Sequence, residues 1–135
     1  MIENCVFCKI INKELPSYVV YETDSVLAIF AKEMEVYGHT LVIPKQHYQD
    51  MYDIPEDVLA EIIKASKKIG NMYKDSLGST GVNLLHASGK DAQQSVPHFH
   101  LHIFPRYEND GLDTRPKLAK IEIDKDELLK KIYSV

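Results

Sequence analysis

Nowhere in these 135 residues does an apolar run approach the roughly 18 residues needed to span a bilayer, which removes membrane-spanning helices from the possible architectures. No Lys/Arg cluster is present either. Sixteen basic residues are scattered among 20 acidic ones, for a net charge of -4, so binding driven by a nucleic-acid backbone or an anionic membrane surface is not expected. The opening "MIENCVFCKI" lacks a basic segment and a small-residue cleavage site. A secretory signal is therefore not expected, and a cytoplasmic location with reduced thiols is. There is no internal repeat at a period of 20 to 50 residues, no low-complexity tract and no Gly/Ser linker. One domain covering residues 1–135 is expected, large enough to bury a core without disulfides.

What is present is a clear order of elements. Residues 5–13 read as a short helix. Tyr18–Tyr21 and Val26–Ala31 read as strands around the turn-prone Glu22 to Ser25, a hairpin signal. Thr40–Ile43 reads as a strand closed by Pro44. One long helix follows: Pro55 suits its first turn, Val58, Leu59, Ile62, Ile63, Ile69, Met72 and Tyr73 recur at helical spacing, and Gly78 closes it. "GVNLLHAS" and "FHLHIFPR" read as two more strands, and "DKDELLKKIY" as a terminal helix with Asp124 and Glu127 in capping-box register. Strands, helix, strands, helix is the order of an α+β fold, an antiparallel sheet of about five strands with helices packed on it.

Residues 98–104 read "HFHLHIF". In a strand this alternation puts His98, His100 and His102 on one face and Phe99, Leu101 and Ile103 on the other, beginning at Pro97. A helix, at roughly 3.6 residues per turn, would scatter both sets. A single exposed histidine is usually only tolerated, which is the reading given to His86. Three in register point to a site, because neighbouring imidazoles resist simultaneous protonation and gain nothing structural by clustering. Two chemistries fit the spacing equally. Three neutral imidazoles can ligate a catalytic zinc, or one imidazole can attack phosphorus while protonated neighbours neutralise the phosphate oxygens, with no metal required.

"GHTLVIPKQH", followed some fifty residues later by "QSVPHFHLHIFPR", resembles the histidine triad (HIT) proteins, whose signature alternates three histidines with apolar residues. The likeness runs from "CVFCKII" to Arg106 and is greatest to the bacterial Hint-like branch. That resemblance implies a homodimeric, nucleotide-binding hydrolase that cleaves a P–N or P–O bond of a nucleoside monophosphate conjugate, its partner a purine nucleotide or nucleotidyl conjugate. It implies that His100 is the nucleophile of a nucleotidyl-histidine intermediate, that His102 and His39 contact phosphate oxygens, and that Ser95 lies near the leaving group. Gln94, beside it, is a further candidate substrate contact.

Cys5 and Cys8 form a lone CxxC, by itself a weak signal. A thioredoxin-like redox site would need a βαβ context that is missing, and a plain buried dithiol remains open. Family members with "CxFC" near the start hold zinc by positions that correspond to Cys5, Cys8, His47 and His98. The resemblance thus implies a closed, structural Cys₂His₂ zinc, with no metal required for catalysis.

The sequence also departs from the family pattern. Ala31 stands where an Asp or Asn commonly binds the ribose hydroxyls, Ala87 where a polar Asn or Gln contacts the nucleotide, and Gln93 where Gly is usual. Asn83, Ser88 or Lys32 are candidates to replace the lost contacts. The two alanines give weight to an alternative, a nucleotide-sensing or scaffolding module whose catalysis is vestigial. Lys45 and Arg106, near the motif, are expected to be merely solvated.

Overall fold

A computed structural model describes residues 4–134. Five strands, β1 (Val19–Glu22), β2 (Val26–Phe30), β3 (Thr40–Pro44), β4 (Gly81–Leu85) and β5 (Leu101–Arg106), form one antiparallel sheet in the order β1-β2-β3-β5-β4. Helix α1 (Val6–Ile11) lies on one face and α2 (Glu56–Leu77) on the other, and α3 (Lys125–Tyr133) ends the chain. This is the α+β architecture that the element order implies.

The β1–β2 hairpin forms where expected, because Thr23 Oγ1 accepts the N–H groups of Ser25 and Val26 and tightens the turn. On the next element, Pro55 serves as the N-cap residue rather than as part of the first turn, and Glu56 and Asp57 follow it where negative charge complements the helix dipole. Gly78 stops the helix in the left-handed region at φ 73°, with its N–H bonded back to Tyr73 O. Ile62, Ala65, Ile69 and Tyr73 of α2 pack on Val26, Ala28, Val42, Phe99, Leu101 and Ile103. The expected apolar stripe was too broad, since Ile63 and Met72 are exposed.

The opposite face is covered by α1, whose Phe7, with Cys5 and Cys8, packs on Leu27, Ile29 and Ile43. Cross-strand register places His39, Leu41, His102, Phe104, Asn83 and Leu85 on this same face. A sheet covered by a short helix at one end of a face and left open at the other creates a natural place for a site.

Two expectations fail here. The strand begins at Leu101, not at Pro97, because β3 pairs no further than Val42↔Leu101 and β4 no further than Leu85↔His102. Before that point other partners take over: Phe99 N–H donates to Tyr48 O at 2.7 Å, and His98 N–H to Val96 O. The alternation of faces nonetheless persists through residues 98–100, with Phe99 in the α2 core and His98 and His100 buried beside Phe7. The second failure is α3. Asp124 caps it as expected, accepting the N–H groups of Asp126 and Glu127, yet none of its residues is buried, and Leu128, Leu129 and Ile132 are exposed. It is not packed on the sheet, because the mostly exposed stretch 107–124 carries it away.

Candidate active site and metal centre

Gly38 makes the first placement. It turns the chain into β3 at φ 90°, and a Cβ there would meet Pro105 Cγ at 3.0 Å and Leu77 Cδ1 at 3.1 Å. Thr40 fixes the turn by donating its hydroxyl to Gly38 O at 2.8 Å. His39 is thereby buried against Phe104, ring centroids 4.4 Å apart, with His102 5.2 Å away and His100 a further 5.2 Å from His102.

The hydrogen bonds determine which nitrogen of each ring carries its proton. Glu35 N–H can only donate, so Nδ1 of His39 accepts at 3.3 Å. Its Nε2–H then donates to Nδ1 of His102 at 2.9 Å, leaving His102 with its proton on Nε2. Separately, His98 O can only accept, so His100 carries its proton on Nδ1, 2.8 Å away, and keeps a lone pair on Nε2. No buried side-chain nitrogen among the described residues lacks a hydrogen-bond partner. Nε2 of His100 and Nε2 of His102, which make none, therefore retain contact with solvent. The result is a nucleophilic lone pair beside a polarised N–H donor.

Burial governs the charge of these rings. It lowers the pKa of His39, an effect Glu35 opposes, and that of His100, where the bond to His98 O opposes. It brings His102 down to about 4, helped by the neighbouring His100, His39 and His86. The cationic neighbours expected from the sequence are accordingly neutral in the free protein at pH 7. His39 also has both nitrogens occupied and orients His102 from behind. A stability consequence follows. His102 titrates near 6.5 when unfolded and near 4 when folded, so between those values the unfolded chain binds more protons, and acid drives unfolding. Stability is expected to be full above about pH 6.5 and to fall progressively toward pH 4, read as a declining thermal midpoint.

The first histidine of the triad is aimed elsewhere. His98 donates Nε2–H to Pro44 O at 2.9 Å, which leaves its Nδ1 lone pair directed at Cys5 Sγ (3.3 Å), Cys8 Sγ (3.6 Å) and His47 Nδ1 (3.1 Å), and Cys8 Sγ lies 3.4 Å from His47 Nδ1. All four donor atoms fall within 4.8 Å of one another. Zinc bonds of about 2.0–2.3 Å in a tetrahedron require donor separations of roughly 3.3–3.8 Å. The set fits a metal ion, with Pro44 O as the outer partner that fixes the tautomer of His98.

The remaining sequence candidates divide sharply. Ser95 is exposed and makes no hydrogen bond among the described residues. Gln94 is wholly engaged in the loop, accepting from Gly89 N–H and donating to Gln49 O and Val96 O. Ser88 accepts from Met51 N–H and contacts Nε2 of His86. Asn83 accepts from Arg106 and from Thr114. Gln94 and Ser88 thus have their side-chain polar groups engaged within the protein, and Asn83 its side-chain oxygen. Lys32 is exposed, Ala31 is buried and Ala87 is partly buried. The two basic residues expected to be solvated are not: Lys45 pairs with Glu22 at 2.7 Å, and Arg106 forms a bidentate pair with Asp110.

A HIT domain model matches residues 12–109. The chain belongs to the HIT family. An uncharacterised HIT-like protein of Methanocaldococcus jannaschii is 45% identical over 95% of this chain and 98% of its own. Enzymes are among the relatives: an adenylylsulfatase of Arabidopsis thaliana is 38% identical over 91% of this chain and 64% of its own, and an adenosine 5'-monophosphoramidase of Candida albicans is 35% identical over 76% and 70%. A HIT family protein of Bacillus anthracis superposes with a TM-score of 0.87 at 38% identity, covering 99% of this chain and 96% of the other. A zinc-bound histidine triad protein of Mycobacterium smegmatis does so with a TM-score of 0.79 at 36% identity, over 84% and 83%. Within this HIT domain the third histidine of the triad stretch, His102, and the second, His100, share the open end of the sheet face, while His98 faces the two cysteines.

Proposed function

We propose that the protein hydrolyses a nucleoside monophosphate conjugate at a P–N or P–O bond through a covalent intermediate on His100. The observation that carries this reading is the pair of tautomers, a solvent-accessible Nε2 lone pair on His100 next to an Nε2–H donor on His102. The lone pair forms a bond to phosphorus as the bond to the leaving nitrogen or oxygen breaks. His102 Nε2–H donates to a phosphoryl oxygen, where charge grows in the transition state. The leaving group departs with its electron pair and takes up a proton, for which the exposed hydroxyl of Ser95 is the candidate relay. Water then attacks phosphorus and releases His100. An adenylylsulfatase and an adenosine phosphoramidase among the relatives support an adenylyl substrate.

Quenching turnover of adenosine 5'-phosphoramidate in alkali, which spares an acid-labile phosphoramidate, should reveal one adenylyl group on the peptide containing His100. An unmodified peptide during steady turnover overturns the mechanism. The binding-module alternative rests on Ala31 and Ala87, and calorimetry that finds tight adenosine monophosphate binding without any turnover favours it.

A structural zinc on Cys5, Cys8, His47 and His98 belongs to the same proposal, supported by the donor geometry and the zinc-bound relative. When bound, it would clamp α1 to the sheet. Homodimerisation also belongs to it: edge strand β4 exposes Val82, Leu84 and Leu85, and α3 exposes its apolar residues. Sedimentation should show a dimer that Leu84→Lys weakens. No described helix is long and apolar enough to cross a membrane.

A further inference from the structure

His86 lies outside every motif, yet it touches the nucleophile's backbone. Its ring stacks on core residue Phe99, centroids 4.3 Å apart and planes 23° from parallel. Nδ1 lies 2.9 Å from His100 O. A carbonyl only accepts, so Nδ1 carries the proton and Nε2 accepts from the hydroxyl of Ser88. Ser88 Oγ in turn accepts Met51 N–H at 2.9 Å. Every donor in this chain has one direction: Met51 N–H to Ser88, Ser88 O–H to His86, His86 N–H to His100 O.

The position explains the need. His100 precedes the first laddered residue of β5, and β4 has already left the sheet after Leu85. In a continued ladder a backbone N–H of β4 would hold the carbonyl of residue 100. Here the side chain of His86 supplies that donor. Together with Tyr48 O, which accepts Phe99 N–H, it anchors the chain on either side of His100, at the 98–99 and the 100–101 peptide groups.

We propose that His86 is a positioning residue that aims the His100 imidazole, held in its working tautomer by Ser88 and, through Ser88, coupled to the loop around Met51. This rests on the reading of His100 as nucleophile. A residue that aims a nucleophile affects the attack more than substrate affinity, so the loss belongs in kcat. The bond is a single neutral one, and its removal is worth about threefold to tenfold.

The test compares His86→Phe, which keeps the stack on Phe99 but removes both ring nitrogens, with His86→Asn, whose amide N–H can reproduce the Nδ1 donor. Adenosine 5'-phosphoramidate turnover is measured for each beside wild type and His100→Ala. His86→Phe is expected to lose about threefold to tenfold in kcat with KM within about twofold, and His86→Asn to regain most of it. Wild-type kcat in His86→Phe, or no recovery in a folded His86→Asn, overturns the proposal. Long-range nitrogen–proton NMR of the wild-type protein gives a second readout that needs no activity. The proton of His86 must reside on Nδ1, and residence on Nε2 overturns the assignment even if neither variant folds. Turnover that survives His100→Ala sinks the mechanism of the preceding section instead, and the NMR result then still judges the His86 contact alone.

Discussion

Replacing His100 with alanine is expected to lower turnover of adenosine 5'-phosphoramidate by at least about four orders of magnitude, as removal of a covalent nucleophile does elsewhere. On the proposed mechanism this residue has one task that no neighbour duplicates. Of His39, His98, His100 and His102, His100 alone has an Nε2 lone pair directed away from every internal donor: the corresponding nitrogen of His102 carries a proton, His39 has both nitrogens occupied, and the free lone pair of His98 faces sulfur. On the same mechanism His102→Ala removes a donor to the phosphoryl oxygen and should cost about a hundredfold to a thousandfold. His39→Ala should cost less than either, because it acts only by fixing His102. The ordering is the prediction, since a catalytic zinc built on His98, His100 and His102 would make all three ligands equally necessary. The His100 side chain is buried but hydrogen-bonds only to His98 O, within its own segment, so the alanine variant is expected to stay folded, as circular dichroism can check. Turnover within tenfold of wild type in that folded variant ends the mechanism.

Much of this was legible in the sequence, and the reason is local. The helix ends at Gly78 because a left-handed residue is needed there and glycine supplies it. The alternating "HFHLHIF" sorts its faces because a pleated chain has a period of two, which holds even where the ladder has stopped. What could not be read depends on partners distant in the chain. Asn83, Ser88 and Gln94 look like free polar groups, but Arg106 takes the side-chain oxygen of Asn83, Met51 and His86 take the hydroxyl of Ser88, and Gly89 and Gln49 take the amide of Gln94. The neutrality of His39 and His102 comes from burial beneath elements that meet only in the folded protein. His86 was discounted as a lone histidine. Its only sequence signal was nearness to the loop before "QSV", and its role appears once β4 is seen to leave the sheet one residue earlier.

Removing zinc is expected to have the largest effect on stability. Its four donors come from α1 and its N-cap, from the segment after β3 and from the segment before β5, so a bound ion would tie three otherwise separate stretches together. Without it, the sulfurs of Cys5 and Cys8 and the Nδ1 atoms of His47 and His98 meet one another at 3.1–3.6 Å, while the bond to Pro44 O uses only the far nitrogen of His98. For free zinc about a thousandfold above its Kd the stabilisation is about 4 kcal/mol, and for a chain of this size that corresponds to a thermal midpoint roughly 10–20 °C higher. Elemental analysis should find one zinc per chain. Chelation, or Cys8→Ala, should remove it and lower the midpoint by that amount. Because thiols and imidazoles must shed protons to bind metal, the ion should also be lost more readily in acid, in the same direction as the titration of His102. The active-site geometry separates stability from chemistry. His100 and His102 are not in the donor set, so His100→Ala should retain its zinc, and any fraction that stays folded without metal should still turn over substrate. A folded, purified protein with no zinc and a midpoint indifferent to chelator would leave Cys5 and Cys8 a plain buried dithiol.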